Sequence, residues 1–197
     1  MKISGLSQAC ENNKQPILEQ LTQMFAQVKN VLEIGSGTGQ HALHFAPRLT
    51  HLHWQTSDLA YNHGLIEEVI RFADSDNILP PLALDLAAPW PVEQVDGIFT
   101  ANTLHIVSEE LVRAFFQGVG KHLSKSGVLC IYGPFNYHGQ YTSVSNAQFD
   151  ANLRARDPHS GLRDQQWIVT LAQQQGLELC ADVAMPANNR LLHFVRR

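Results

Sequence analysis

Three glycines in five residues, Gly35, Gly37 and Gly39, follow the run Val31-Leu32-Glu33-Ile34. Lacking a Cβ, glycine lets the backbone come close to a ligand. A helical stretch follows over 38–46, so its N-terminal N–H groups would face whatever the loop cradles. The spacing is G-x-G-x-G, with Ser36 and Thr38 between. A dinucleotide loop reads G-x-G-x-x-G/A, and its last glycine would stand where this chain has Gln40. Glu33, an acid at the strand end, is awkward beside a pyrophosphate and suits a cationic ligand. Asp58 stands 21 positions beyond Gly37, where an acid can take ribose hydroxyls. Asp85 follows a third strand. Leu59, Leu86, Asn102, Asn13 and Lys14 complete the candidate ligand set. The alternatives are a helix cap or surface acid for Asp58 and Asp85, and a solvated helix start for Asn13 and Lys14.

A second group lies further along. His105 has a side chain suited to taking a proton near neutral pH. Its alternative is packing at the start of the next helix. Tyr132 and Asp150 are the other catalytic candidates, and Asn146, Arg154, Arg163, Asn188 and Asn189 are candidates to bind a polar substrate. Arg154 or Arg163 would take an anionic group. Asp150 and Arg154 are four apart on one expected helix and can pair, so a purely structural network is the competing reading. Turn chemistry alone would also account for Asn188 and Asn189. His41 with His44, and His51 with His53, lack a third ligand or an H-E-x-x-H pattern, so no metal site is expected.

The elements that must hold these residues alternate. Helical spacing is predicted over 15–28, 38–46, 62–72, 110–123, 149–156 and 163–175, with Ser108 capping the fourth. Short apolar runs at 30–34, 52–56, 79–84, 97–101, 127–132, 177–185 and 190–195 read as strands. Helices between strands imply βαβ units and a mostly parallel sheet covered on both faces. The expected fold is thus an α/β, Rossmann-like, three-layer α/β/α sandwich of seven strands, ending in an antiparallel hairpin. Its ligand would lie at the carboxyl ends of the strands.

Composition narrows the class. The chain has 197 residues, 44% hydrophobic and 16% charged, which fits one domain over 1–197 and excludes wholesale disorder. Fourteen basic against 18 acidic residues give a net charge of −4, so neither nucleic acid nor membrane is an expected partner. No apolar run approaches the roughly 20 residues of a membrane span. Met1–Ser4 begins no apolar leader. Cys10, Cys130 and Cys180 form no CxxC, and a reducing cytoplasm is the expected location. A homodimer is left open.

The G-x-G-x-G loop preceded by Glu33 resembles motif I of class I S-adenosylmethionine (SAM)-dependent methyltransferases. Further segments narrow the likeness: Glu11-Asn12-Asn13-Lys14, Asn102-Thr103-Leu104-His105, Tyr132-Gly133-Pro134-Phe135, Gly161-Leu162-Arg163-Asp164 and Met185-Pro186-Ala187-Asn188-Asn189. As a set they resemble the methyltransferase-like protein 26 family. Some relatives carry an aromatic residue where this chain has His159-Ser160. The resemblance implies SAM as cofactor, with S-adenosylhomocysteine as product. It sets the methionyl end against Gly35, Gly37 and Gly39, the ribose at Asp58 and the adenine amino group at Asp85. It implies a methyltransferase acting on a small polar acceptor by in-line transfer. A SAM-binding regulatory protein without turnover and an NAD(P)-dependent oxidoreductase are the alternatives. Residues 1–29 would form a helical lid, and 133–164 an insertion on the substrate side. Ala101-Asn102-Thr103-Leu104 departs from the [DN]-P-P-[YF] of enzymes that methylate the exocyclic amines of bases.

Overall fold

Strands of four to eight apolar residues can be buried on both faces only if helices cover each side. The chain builds that arrangement in order: α1 (Gln8–Met24), β1 (Asn30–Ile34), α2 (Gln40–Phe45), β2 (His53–Asp58), α3 (His63–Ile70), β3 (Ile78–Ala83) and β4 (Val95–Ala101). There follow α4 (Glu109–His122), β5 (Leu123–Gly133), β6 (Phe135–Asn136), α5 (Val144–Arg156), β7 (Arg163–Asp164), α6 (Gln165–Gln174), β8 (Leu177–Met185) and β9 (Asn189–Arg196). This is a computed structural model that describes residues 6–197. The Met1–Ser4 stretch and the first part of the expected lid over 1–29 lie outside the described residues.

The main sheet has seven strands in the order β3-β2-β1-β4-β5-β9-β8. β1 pairs in parallel with β2 and β4, β2 with β3, and β4 with β5. β9 runs against both β5 and β8, giving the antiparallel hairpin. β6 and β7 form a separate two-stranded parallel pair. This is the Rossmann-like three-layer sandwich.

Period-two alternation assigns the two cores. Val31, Trp54 and Phe99 pack under Ile17 and Leu21 of α1 and Phe45 of α2. Leu32, Ile34, Ile98 and Leu129 pack under Phe115 and Phe116 of α4 and Ile168 of α6. Glu33 therefore shares the first face with Val31.

Several boundaries differ from the sequence reading. α1 starts at Gln8, seven residues before the apolar periodicity begins. Ser7 caps it, its side chain accepting the Cys10 N–H. Pro16 lies inside this helix rather than in its first turn. α5 starts at Val144, where the Ser143 hydroxyl accepts the Asn146 N–H. Among the described residues, no helix is long and apolar enough to cross a membrane.

Candidate active site

The glycine loop joins β1 to α2 with all three glycines left-handed: Gly35 at φ +72°, Gly37 at +60° and Gly39 at +75°. A Cβ on Gly35 would come within 2.7 Å of the Thr103 hydroxyl, so the loop lies against the end of β4. A Cβ on Gly37 would meet nothing within 4 Å, so open space faces this residue. Ser36 is 6% exposed and fastens the loop downward: its hydroxyl donates to Glu33 at 2.9 Å and accepts the Ser57 N–H at 3.1 Å.

Glu33 was expected against the cationic end of a ligand, but only 1% of it is exposed, and it sits beneath the loop. Trp54 Nε1 donates to its carboxylate at 3.0 Å. Burial pushes the carboxyl up to about 7, against the opposing hydrogen bonds from Trp54 and Ser36. Here the acid holds the loop's shape.

Asp58 ends β2 beside the loop. One oxygen accepts the Gly37 N–H at 2.7 Å, and the other accepts from Leu59 N–H at 2.7 Å and Asn62 Nδ2 at 2.8 Å. Asp85 is exposed beyond β3 and accepts the Ala87 N–H at 2.9 Å. Leu59 is 37% exposed, and Leu86 packs partly against the core. Two successive strands thus end in carboxylate acceptors, of which Asp58 borders the open space over Gly37. That chemistry fits the diol and exocyclic amine of an adenosyl group.

Gln40, where a dinucleotide loop has its third glycine, has a task that sequence reasoning missed. Its side chain accepts the Ser7 N–H and the Thr38 hydroxyl, and donates to Glu11 at 2.9 Å. Next to it, His41 Nε2 lies 2.8 Å from Asn13 Oδ1. Burial holds His41 down to about 4, so the ring is neutral at pH 7. The first turn of α2 thereby clamps the N-terminal part of α1 beside the glycine loop. Asn13 is 5% exposed within this clamp, and Lys14 pairs with Glu11 at 2.6 Å. The signal was present in the sequence: a polar Gln in the position where close packing would call for glycine.

The ends of β4 and β5 bring the reacting candidates together. Asn102 is a non-glycine residue at φ +57°, an expensive conformation that clusters at functional sites. A Cβ on Gly133 would lie 3.6 Å from His105 Nδ1 and 4.0 Å from Asn102 Oδ1, so all three residues meet. His105 is 5% exposed, with its ring against Phe149 at 5.3 Å. Burial and then the Arg163 charge lower it to about 4. Tyr132 closes β5 at 3% exposure, near Asn13 and Asn189, and burial pushes its hydroxyl up. At neutral pH Tyr132 is a hydrogen-bond donor and not a base.

The remaining candidates tie the protein to itself. Asp150, expected to be catalytic, accepts from Leu162 N–H at 2.6 Å, Tyr141 hydroxyl at 2.7 Å and Arg154 Nε at 2.8 Å. Burial opposes its charge, but these donors hold the carboxyl below its usual range. At 2% exposure Asp150 is closed off within the fold, whereas Asp58 stays partly open. Arg163, expected to bind substrate, is 4% exposed and donates to backbone carbonyls. Arg154 is half exposed beside Asp150. Asn146 Nδ2 donates to Thr142 at 2.8 Å and to the Asn188 carbonyl at 3.2 Å. Asn188 Nδ2 reaches Ser145 at 3.3 Å, and Asn189 Nδ2 reaches the Pro186 carbonyl at 3.1 Å. The two bonds with Asn188 join α5 to the β8–β9 turn.

The strand order and the loop after β1 define a Rossmann-like sandwich of the kind found in methyltransferases. The chain belongs to the family described as "Protein of unknown function (DUF938)", whose model matches residues 4–196. Its fold is similar to an O-methyltransferase family protein from Burkholderia thailandensis, at TM-score 0.82 and 18% identity over 93% of this chain and 56% of that one. It is similar to mitomycin 7-O-methyltransferase at TM-score 0.78 and 15% identity, over 91% of this chain and 54% of that one. Human N-acetylserotonin methyltransferase in complex with SAM gives TM-score 0.74 and 10% identity, over 100% of this chain and 60% of that one. The chain thus spans little more than half the length of these proteins.

Proposed function

We propose that the chain is a SAM-dependent methyltransferase acting on a small polar acceptor. The observation that carries this reading is the open space over Gly37, bordered by the Asp58 carboxylate. The segments Gly161–Asp164 and Met185–Asn189 support the finer reading of a methyltransferase-like protein 26. Gln40, spent on anchoring α1, speaks against a dinucleotide loop.

When bound, SAM supplies a methyl group on positively charged sulfur. Asp58 would accept its ribose hydroxyls and Asp85 its adenine amino group, with Leu59 and Leu86 beside the base. Ser36 and Glu33 hold the glycine loop in shape from below. Asn102 and His105 face the reacting side. A neutral His105 accepts a proton from the acceptor. Once a hydroxyl oxygen is methylated its own proton becomes strongly acidic, so a weak base suffices. Tyr132 donates a hydrogen bond. The clamped start of α1, with Asn13 and Lys14, acts as the lid, and residues 133–164 supply the acceptor side. The free thiols Cys10, Cys130 and Cys180 suit a reducing cytoplasm.

Calorimetric titration with SAM, S-adenosylhomocysteine and NAD tests the cofactor. Binding of NAD without SAM would overturn the reading. Release of S-adenosylhomocysteine across a panel of metabolites tests turnover. His105→Ala is expected to lower kcat about 100-fold or more, in the range of a lost general base, and leave SAM affinity unchanged.

A further inference from the structure

Four successive carbonyls in the loop that carries His105 are all taken by one short segment. Leu104 O accepts Arg163 Nε at 3.0 Å, and His105 O accepts the Gly161 N–H at 2.9 Å. Ile106 O accepts the Ser160 hydroxyl at 2.6 Å, and Val107 O accepts Arg163 Nη2. Arg163 Nη2 also reaches the His159 carbonyl at 2.8 Å. An arginine has a planar fork of five N–H donors. This one spends most of that fork on backbone acceptors, of which the bond to the Leu104 carbonyl is buried.

The segment is itself braced from behind. Leu162 N–H donates to Asp150, which Arg154 also binds. The Arg154 guanidinium lies on Gly161, where a Cβ would come within 2.5 Å of Nη2, and Gly161 has φ +147°. Asp150, Arg154, Gly161 and Arg163 thus form one structure around the loop.

We propose that Arg163 is the positioning residue for His105: its guanidinium fixes the loop that presents the imidazole by holding the Leu104 and Val107 carbonyls on either side of it. The proposal rests on the reading of His105 as the group that meets the acceptor. The other groups around the ring are accounted for. α5 contributes Phe149 and the already bonded Asp150, and α4 contributes Glu109, whose carboxylate lies 3.8 Å from Arg163. Asn102 and Tyr132 at the strand ends are uncharged. Burial does most to keep the ring neutral, and the Arg163 charge adds to it.

The test is histidine NMR titration of the whole protein, with His105 assigned by its loss in His105→Gln. Wild type is expected to titrate towards about 4. In Arg163→Gln the value should rise by about half a unit or more, as removal of a like charge requires. The Ile106 and Val107 amides, which bond to Thr103 O, should exchange about tenfold faster. Arg163→Lys should keep the low titration through its charge yet lose the amide protection, because it lacks the fork. A folded Arg163→Gln with unchanged titration and exchange overturns the proposal. If that variant does not fold, Arg163→Lys carries the test, and unchanged exchange at Ile106 and Val107 then overturns the proposal. Full turnover in His105→Ala would sink the catalytic reading while leaving titration and exchange as predicted, so the two failures are distinguishable.

Discussion

Glu33 carries a carboxyl group under a loop that keeps water out, and its cost depends on pH. In the unfolded chain it releases its proton near 4.5, and in the folded protein near about 7. Between those values the folded state holds the extra proton. Its contribution to stability is therefore full below about pH 4.5 and is lost as pH rises to about 7. At 1.36 kcal/mol per pH unit the loss is on the order of 3 kcal/mol. His41 acts in the opposite sense, because burial moves it from 6.5 to about 4. Its contribution is present above 6.5 and is lost as pH falls to about 4. Glu33→Gln keeps an oxygen for Ser36 and Trp54 and removes the ionisation. The Tm of Glu33→Gln relative to wild type should thus climb by several degrees between pH 5 and pH 8. A constant difference over that range would contradict the buried-acid account. Gly37→Ala makes a second case at this scale. The residue has φ +60° and open space beside it, so a methyl group costs about 1–2 kcal/mol of backbone strain and no clash. Tm should fall by a few degrees. SAM affinity should fall tenfold or more in calorimetry, because the methyl would occupy the space proposed for the ligand.

Each element depends on what its sequence displays and on what distant residues supply. β1 was legible at its observed bounds, Asn30–Ile34, because an apolar run ended by glycine is a local signal. The loop and its acids were legible for the same reason. The first half of α1 was not, since Gln8–Lys14 is polar and shows no apolar stripe. That half is held by side-chain pairs such as Gln8 with Asn12 and by Gln40, 29 positions away from Glu11. The pairing of Asp150 with Arg154 was legible from their spacing of four, but the task of Arg163 was hidden for a related reason. Arg163 finds its acceptors 59 and 56 positions back in the chain, and spacing along a helix reveals only neighbours. Gln40→Ala isolates the clamp on α1. It removes the side-chain bonds to Ser7 and Glu11, at roughly 0.5–1.5 kcal/mol for each of these part-buried hydrogen bonds. Amide exchange over residues 8–14 should quicken about tenfold or more, while the second half of α1, packed through Ile17 and Leu21, stays protected. SAM affinity should drop several-fold if this half-helix is a lid. Unchanged exchange over 8–14 would leave the clamp without a role.

At the scale of the whole molecule, topology decides where a ligand can act. Five parallel strands deliver the loops after β1 to β5 to one edge of the sheet. β9 runs the other way, with Arg190 opposite Gly133 at the end of β5, so the Pro186–Asn188 turn reaches that same edge. The glycine loop, Asp58, Asp85, His105, Tyr132 and the Asn188–Asn189 pair thus converge although they span most of the chain. The opposite edge holds a separate cleft of about 460 Å³ between the end of α1 and the start of β5, lined by Met24, Lys125 and His193 among others. A ligand of the proposed class should stabilise the protein from one edge only. At a hundred times its Kd, SAM should add about 2.7 kcal/mol, because it binds the folded state alone. For a domain of this size that corresponds to a Tm increase of about 5–10 °C. Amide protection should grow over 35–40, 58–59, 85–86 and 102–105, and stay unchanged over 124–128 at the far cleft. The two readouts are needed together. A rise in Tm alone follows from binding anywhere, whereas the exchange map locates it. An equal rise with NAD would overturn the choice of SAM, and new protection confined to the far cleft would place the ligand site somewhere other than the carboxyl edge that this topology prepares.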